Sequence, residues 1–269
     1  MQNISVVITF YNKGEDLIKA VESVNNQLEV EDEIIVINDC STDESSKKAL
    51  LYAKKRFPKI YFNNTPENRG SAFAKDYGIK HSRNEIIVLL DADDTIPEFA
   101  IKSIRKQFEE NPNTDIVFGN YILNIKETKK TKQVNCKRIS KDNTIDPFKL
   151  AKNWILLGTS PFKKTSYIRA GGFDYLHPKT DDFDFHRRLI VNRAKFSYLN
   201  KNIYVWNKST IGNNSSMNSH DFLFSFIRNI EFYFKFMSKY DFFIHITYQY
   251  LNSIFLKLFN KSFKRIRKY

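Results

Sequence analysis

The sequence predicts an α/β protein: a mostly parallel central sheet with helices on both faces. Three observations lead there. First, short β-branched apolar runs, Ile4 to Phe10, Glu33 to Asn38 and Glu85 to Leu90, alternate with longer stretches of helical period. Runs of this kind are strands buried on both faces. Second, strands that alternate with helices require crossovers, which join parallel neighbours. Third, each run ends in a polar turn: Tyr11-Asn12, Asp39-Cys40-Ser41 and Asp91-Ala92-Asp93-Asp94, with Asn63-Asn64 after a shorter run. In open α/β sheets, ligands bind outside the carboxyl ends of the strands, so these turns converge on one crevice.

The elements follow in order. After the first strand, Leu17, Ala20, Val21, Val24 and Leu28 repeat at helical spacing. Asp43 or a nearby Ser caps a helix from about Ser45 to Phe57. Ile60 to Phe62 is a short strand, Ser71 to Lys80 a helix, and Pro97 opens a helix to about Asn111. Asp115 to Leu123 is strand-like. The Lys-rich segment from Lys126 to Lys141 is expected to be a solvated loop. Helices are expected over Asp146 to Leu157 and Asp182 to Asn192, a strand over Ile203 to Trp206, and an aromatic helical tail from about His220.

Composition bounds the function. The chain has 269 residues, 42% of them hydrophobic, enough to bury a core and too apolar for a disordered chain. Its net charge of +13 favours an anionic partner. The excess cations lie largely in the Lys-rich segment and the tail and no nucleic-acid motif occurs, so no nucleic acid is expected. The two cysteines, Cys40 and Cys136, have no metal-type spacing, which fits a reducing compartment. No stretch reaches the roughly 18–20 uninterrupted apolar residues of a membrane span. A cytoplasmic protein is the expectation.

Four constellations carry chemistry. Asp91, Asp93 and Asp94 pack three carboxylates into four positions. Clustered carboxylates repel one another, and a bound Mg²⁺ or Mn²⁺ is the usual reason to keep them together. Such a cation also binds a diphosphate and stabilises charge developing on it. Asn38 to Asp43 places Asp39 where it can accept hydrogen bonds from a base or ribose, although Ser, Thr and Asp also serve as ordinary turn and cap residues there. Asn68-Arg69-Gly70-Ser71 begins a helix beside a cation, an arrangement that attracts phosphate. Gly171-Gly172-Phe173-Asp174 precedes Asp181-Asp182-Phe183-Asp184-Phe185-His186-Arg187-Arg188, an amphipathic helix opened by two carboxylates, either of which could take a proton from an acceptor hydroxyl. Asp184 and Arg188 are spaced for an i, i+4 pair.

Taken in order, ITFYN, NDCSTD, ENRGSAFAKDYG, LLDADD, GGFD and DDFDFHRRL resemble the family 2 glycosyltransferases of the GT-A fold, over roughly residues 3 to 210. The resemblance implies a Rossmann-like GT-A domain and inverting transfer from a nucleotide-diphosphate sugar, with UDP the favoured nucleotide. It implies that Thr9, Tyr11 and Asp39 contact the nucleotide and that Arg69 lies near base or phosphates. Asp91 and Asp93 become the DxD motif, with Asp93 the direct ligand of Mn²⁺ or Mg²⁺ and Asp91 nearer the ribose. Asp182 becomes the catalytic base, and Asp181, Asp94 and Arg188 are acceptor-side or supporting residues. Three departures stand out: Asn38 and Cys40 replace an Asp and a Gly of the family pattern, Asp181 replaces its usual Glu, and Asn207-Lys208 follows Trp206 where some relatives carry a metal-side His.

The expected organisation is a catalytic domain over 1–215 and a helical basic extension over 216–269. Within the domain the nucleotide-sugar half spans about 1–124 and the acceptor half about 125–215. No acidic residue follows Asp241. Lys257, Lys261, Lys264, Arg265 and Lys268 share one helical face, roughly opposite Ile244, Tyr248, Leu251, Phe255, Leu258, Phe259 and Ile266. That pattern suits contact with an anionic membrane surface and a glycan or lipid-linked acceptor. The rival readings are a haloacid-dehalogenase-like phosphatase using Asp91 as nucleophile, a non-catalytic relative serving as a scaffold, and a non-catalytic basic binding protein.

Overall fold

The structure is a computed structural model, and it describes residues 2–147, 149, 160–175, 181–209, 227 and 230–236. Its elements run β1 (Ile4–Phe10), α1 (Gly14–Asn25), β2 (Glu33–Asn38), α2 (Glu44–Arg56), β3 (Tyr61–Asn64), α3 (Ser71–His81), β4 (Ile86–Asp91), α4 (Ala100–Glu110) and β5 (Ile116–Ile125). They continue with β6 (Lys130–Val134), a 3-10 turn (Cys136–Ile139), β7 (Ser140–Lys141), β8 (Thr144–Ile145), β9 (Phe162–Lys163), α5 (Lys164–Arg169), α6 (Asp181–Val191), β10 (Phe196–Lys208) and α7 (Ile230–Phe236).

The main sheet has the order β10-β5-β9-β4-β1-β2-β3, with β6 added beside β5. Strands β3, β2, β1 and β4 are mutually parallel, and β10 is parallel to β5. The short β9 runs antiparallel between β4 and β5. Successive side chains of a strand face opposite ways, so each apolar run feeds two cores. Val7, Ile35, Ile37, Ile87 and Leu89 pack with α3, α5 and α6. Ile4, Val6, Ile8, Ile34, Val36, Val88 and Leu90 pack with α1 and α4. Helix α3 lies flush on the sheet because Gly78 has no side chain: a Cβ there would sit 2.3 Å from Val7.

Three expectations need correction. The Lys-rich segment is not a loop throughout: β6 pairs with β5 from Tyr121↔Val134 to Ile125↔Lys130, and the 3-10 turn buries Cys136 and Ile139. The edge strand keeps its Lys and Thr side chains in water, which hid it from an apolar-pattern reading. Helix α4 starts at Ala100 rather than Pro97, because Phe99 takes a left-handed φ of 62°. The strand expected over Ile203 to Trp206 is the end of the much longer β10.

The expected helix over 146–157 and nearly all of the 216–269 extension lie outside the described residues. Where the extension is described, Phe232 of α7 is buried with its ring 5.6 Å from the Arg187 guanidinium of α6. At α7 the extension packs on the domain. Among the described residues, no helix is long and apolar enough to cross a membrane.

Candidate active site

Register sets the site. Thr9 of β1 lies beside Ile37 of β2 on one side and Asp91 of β4 on the other. The carboxyl ends of three strands are thus level, and their turns share one edge. Thr9 Oγ1 donates to Asp91 Oδ1 at 3.1 Å, and the ammonium of Lys75 on α3 stands 3.7 Å from the same oxygen. Lys13, just after β1, places Nζ 3.1 Å from Asp93 Oδ2.

The third acid of the turn is turned away. Asp94 is 4% exposed, takes hydrogen bonds from the Tyr204 hydroxyl and from the Asn207 backbone N–H (2.7 Å), and is lifted to about 8 by burial first and by Asp91 and Asp93 next. Asn207 Nδ2 also donates to the Asp93 carbonyl at 3.0 Å, while Asn124 Nδ2 donates to Asn207 Oδ1 at 3.0 Å. The register of β10 on β5 shifts between Leu199 and Tyr204, and Val205 bridges Thr95. Such irregularities re-aim a strand, and here the strand end comes down on the Asp-rich turn. Asp94 is a fastener between β4 and β10.

The remaining sequence-chosen residues fall into place around this edge. Asp39 is 3% exposed: Thr65 Oγ1 (2.8 Å) and the backbone N–H of Arg69 (3.3 Å) reach Oδ1, and the backbone N–H of Gly70 reaches Oδ2 (2.8 Å). It ties the end of β2 to the start of α3, and each oxygen keeps acceptor capacity. Tyr11 is 45% exposed at the crevice mouth. The Arg69 guanidinium lies 4.3 Å from the Phe73 ring and 5.7 Å from that of Tyr175.

The Cys40 and Asn38 replacements have local reasons. Cys40 has φ 58°, the left-handed region where Gly is at ease, and its Sγ donates to the Thr65 carbonyl at 3.2 Å. Asn38 uses both ends of its amide: Oδ1 accepts from the Ser41 N–H (2.9 Å) and Nδ2 donates to Asn64 on β3 (2.9 Å). A carboxylate could not make the second bond.

Helix α6 carries Asp181 and Asp182 in its first turn. Asp182 is partly exposed, and its backbone hydrogen-bonds the His186 ring. His186 is buried and pushed down to about 3, by burial first and then by Arg187, with the Lys75 ammonium adding to the effect. Lys75 thus pairs with Asp91 and also adds positive charge to the surroundings of His186. Arg188 donates Nε to Asp184 at 3.1 Å, Nη2 to the Gly172 carbonyl at 2.6 Å, and Nη1 to the Ala170 carbonyl. Gly171 and Gly172 have φ of 82° and 70°, and that turn is what the Arg188 fork holds.

Residues the sequence did not single out complete the site. Asp76 of α3, nearly buried, accepts from Tyr167 (2.6 Å) and Tyr175 and pairs with Lys80 (2.6 Å), bolting the donor-side helix to the turn before α6. Lys13, Lys75 and Tyr204 also belong here. Lys75 and Asp76 lay within a recognised motif. The others meet the turn only through folding.

A hard cation wants several oxygen ligands. Among the described residues no group of three potential ligands gathers. Asp91 and Asp93 are partly open and of the right chemistry, so the donor set fits a cation whose remaining ligands come from a bound phosphate and water, not an all-protein cage.

Comparison with known proteins gives the family. The family model for glycosyl transferase family 2 matches residues 5–165, more than half of the chain. A glycosyltransferase (GlyG) of Streptococcus pneumoniae is 35% identical over 44% of this chain and 38% of its own length. The poly(ribitol-phosphate) beta-N-acetylglucosaminyltransferase TarP of Staphylococcus aureus is 32% identical over 45% of this chain and 37% of its own. The matched segment is thus little more than a third of these relatives. A crystal structure of S. aureus TarS in complex with UDP-GlcNAc superposes with a TM-score of 0.69 at 17% identity, covering 90% of this chain and 69% of that one, which shows a shared GT-A fold. The phosphatase and scaffold readings have no support in these matches, and the chain belongs to glycosyl transferase family 2.

Proposed function

We propose that the protein is an inverting glycosyltransferase that moves a sugar from a UDP-sugar to a hydroxyl of a glycan or lipid-linked acceptor in the assembly of bacterial surface polysaccharide, with Mn²⁺ or Mg²⁺ at Asp93 and Asp91. One observation carries the reading. Thr9 and Lys75 hold Asp91 of the DxD turn, and α3, which carries Lys75, packs in one core with α6, which carries Asp182. The named relatives that act on surface polymers, and the UDP-GlcNAc complex of TarS, support a UDP-linked N-acetylhexosamine donor.

The chain's own residues divide the work. Thr9 and Lys75 fix the Asp91 carboxylate. Tyr11 and Arg69 flank the crevice mouth, where a nucleotide would be held. Asp182 takes the proton of the acceptor hydroxyl as it attacks the anomeric carbon opposite the diphosphate; one displacement inverts the configuration, and no protein nucleophile is required. A bound cation would offset charge on the departing diphosphate. Arg188 ties α6 to the Ala170 and Gly172 carbonyls and Asp76 holds the Tyr167 and Tyr175 hydroxyls, which fixes the chain ahead of Asp182, where a misplaced base would lose rate steeply.

The test is a transfer assay with UDP-GlcNAc and candidate acceptors, following anomeric configuration by NMR. A β-linked product from the α-linked donor, absent in Asp182→Asn, is the expected result. A retained configuration, or full turnover in the variant, would remove the mechanism. The extension's basic face suggests a peripheral membrane site. A variant lacking 242–269 should lose partitioning to anionic vesicles, and unchanged partitioning would remove that part.

A further inference from the structure

We propose that Lys13 is a displaceable counter-ion of the Asp-rich turn: a divalent cation must move its ammonium off Asp93, and the donor's diphosphate is the anion that receives it. The inference rests on the nucleotide-sugar reading above. It makes Lys13 the residue that couples metal binding to nucleotide binding.

The position is unusual for a lysine. Lys13 is the N-cap of α1, with φ −133° and ψ 35°, and makes no side-chain cap hydrogen bond. Ser, Thr, Asp and Asn serve that position best, and a cation beside a helix N-terminus opposes the dipole. The first-turn acids do not use it: Asp16 pairs with Lys126 at 3.0 Å and with Lys19 at 3.8 Å. The Lys13 ammonium instead reaches across from the β1 turn to the β4 turn, 3.1 Å from Asp93 Oδ2. A residue that violates the local rule while completing a distant cluster marks function more often than fold.

Charge at the turn is then balanced. Asp91 has Thr9 and Lys75, Asp93 has Lys13, and Asp94 is turned toward Tyr204 and Asn207. A dication approaching alone meets an ammonium already on its ligand oxygen. A dication arriving with a diphosphate brings compensating negative charge and gives the ammonium new oxygens within the reach of a flexible side chain. Metal and nucleotide must therefore strengthen each other's binding, and by the same factor in either order.

The experiment titrates Mn²⁺ into the full chain, with and without UDP, by the paramagnetic resonance signal of free Mn²⁺, for wild type, Lys13→Met and Lys13→Arg. In wild type, UDP should strengthen Mn²⁺ binding by about tenfold or more; in Lys13→Met, Mn²⁺ alone should bind about five- to tenfold tighter and the gain from UDP should shrink to about threefold or less. Lys13→Arg, which keeps the charge, should follow wild type. If Lys13→Met binds Mn²⁺ alone no better than wild type while UDP still strengthens binding tenfold, the role of Lys13 is wrong and the donor site stands. If neither protein binds Mn²⁺ or UDP under any condition, the donor reading and the proposal fall together.

Discussion

The two halves of the domain are built differently. In the N-terminal half the sheet aligns the site: β4, β1, β2 and β3 lie side by side in parallel, and their register levels the polar ends. The C-terminal half is joined to it by long-range side-chain fastenings, Tyr204 and Asn207 onto Asp94 and Tyr167 and Tyr175 onto Asp76, while Arg188 holds the Gly171-Gly172 turn. The parallel sheet should tolerate loss of a single polar contact without moving. The C-terminal half should lose alignment when one fastening is cut.

The largest effect is expected at the proposed base. Asp182→Asn should lower kcat by about 10²- to 10⁴-fold with the melting temperature unchanged. Intact turnover would move the base elsewhere. Next is Asp76→Ala, which strands the buried Tyr167 hydroxyl and should cost about 1–3 kcal/mol in denaturant unfolding. A cost of that size shared by Thr9→Val, which joins two neighbouring strands, would erase the contrast between sheet register and long-range fastening.

A smaller effect concerns acid stability. His186 titrates near 3 when folded, against about 6.5 unfolded. Between those values the unfolded chain binds the extra proton, so stability is full above about 6.5 and is lost as pH falls toward 3. His186→Gln should flatten the acid limb of stability against pH in that window, and an unaltered limb would mean His186 is not buried as described.

The smallest effect lies at Cys40. Its left-handed φ costs about 1 kcal/mol, which Gly would relieve while adding unfolded-state entropy of similar size. Cys40→Gly should therefore shift the melting temperature little, and Cys40→Val should lower it clearly. Equal melting temperatures for the two variants would show that no strain is stored there.

The same contrast explains what could be read in the sequence. The parallel strands, the capping Asp43, the Asp-rich turn and the helix of Asp182 were legible, because apolar period, turn chemistry and motif order are local. The β6 edge strand was not, since its exposed Lys and Thr residues look like a loop. Nor was the descent of β10 onto Asp94, which depends on a register shift with no pattern of its own. Asp94 itself read as one carboxylate among three, and only folding separates it from the two that remain open.

The most direct test of the central claim is a thermal-shift measurement with UDP-GlcNAc, with and without Mn²⁺, on wild type and Asp93→Ala. A ligand that binds only the native state at about 100 times its Kd adds about 2.7 kcal/mol of stability. The account predicts a clear Mn²⁺-dependent rise in wild type and none in Asp93→Ala. The same rise in both proteins, or no rise with any sugar nucleotide, would contradict it.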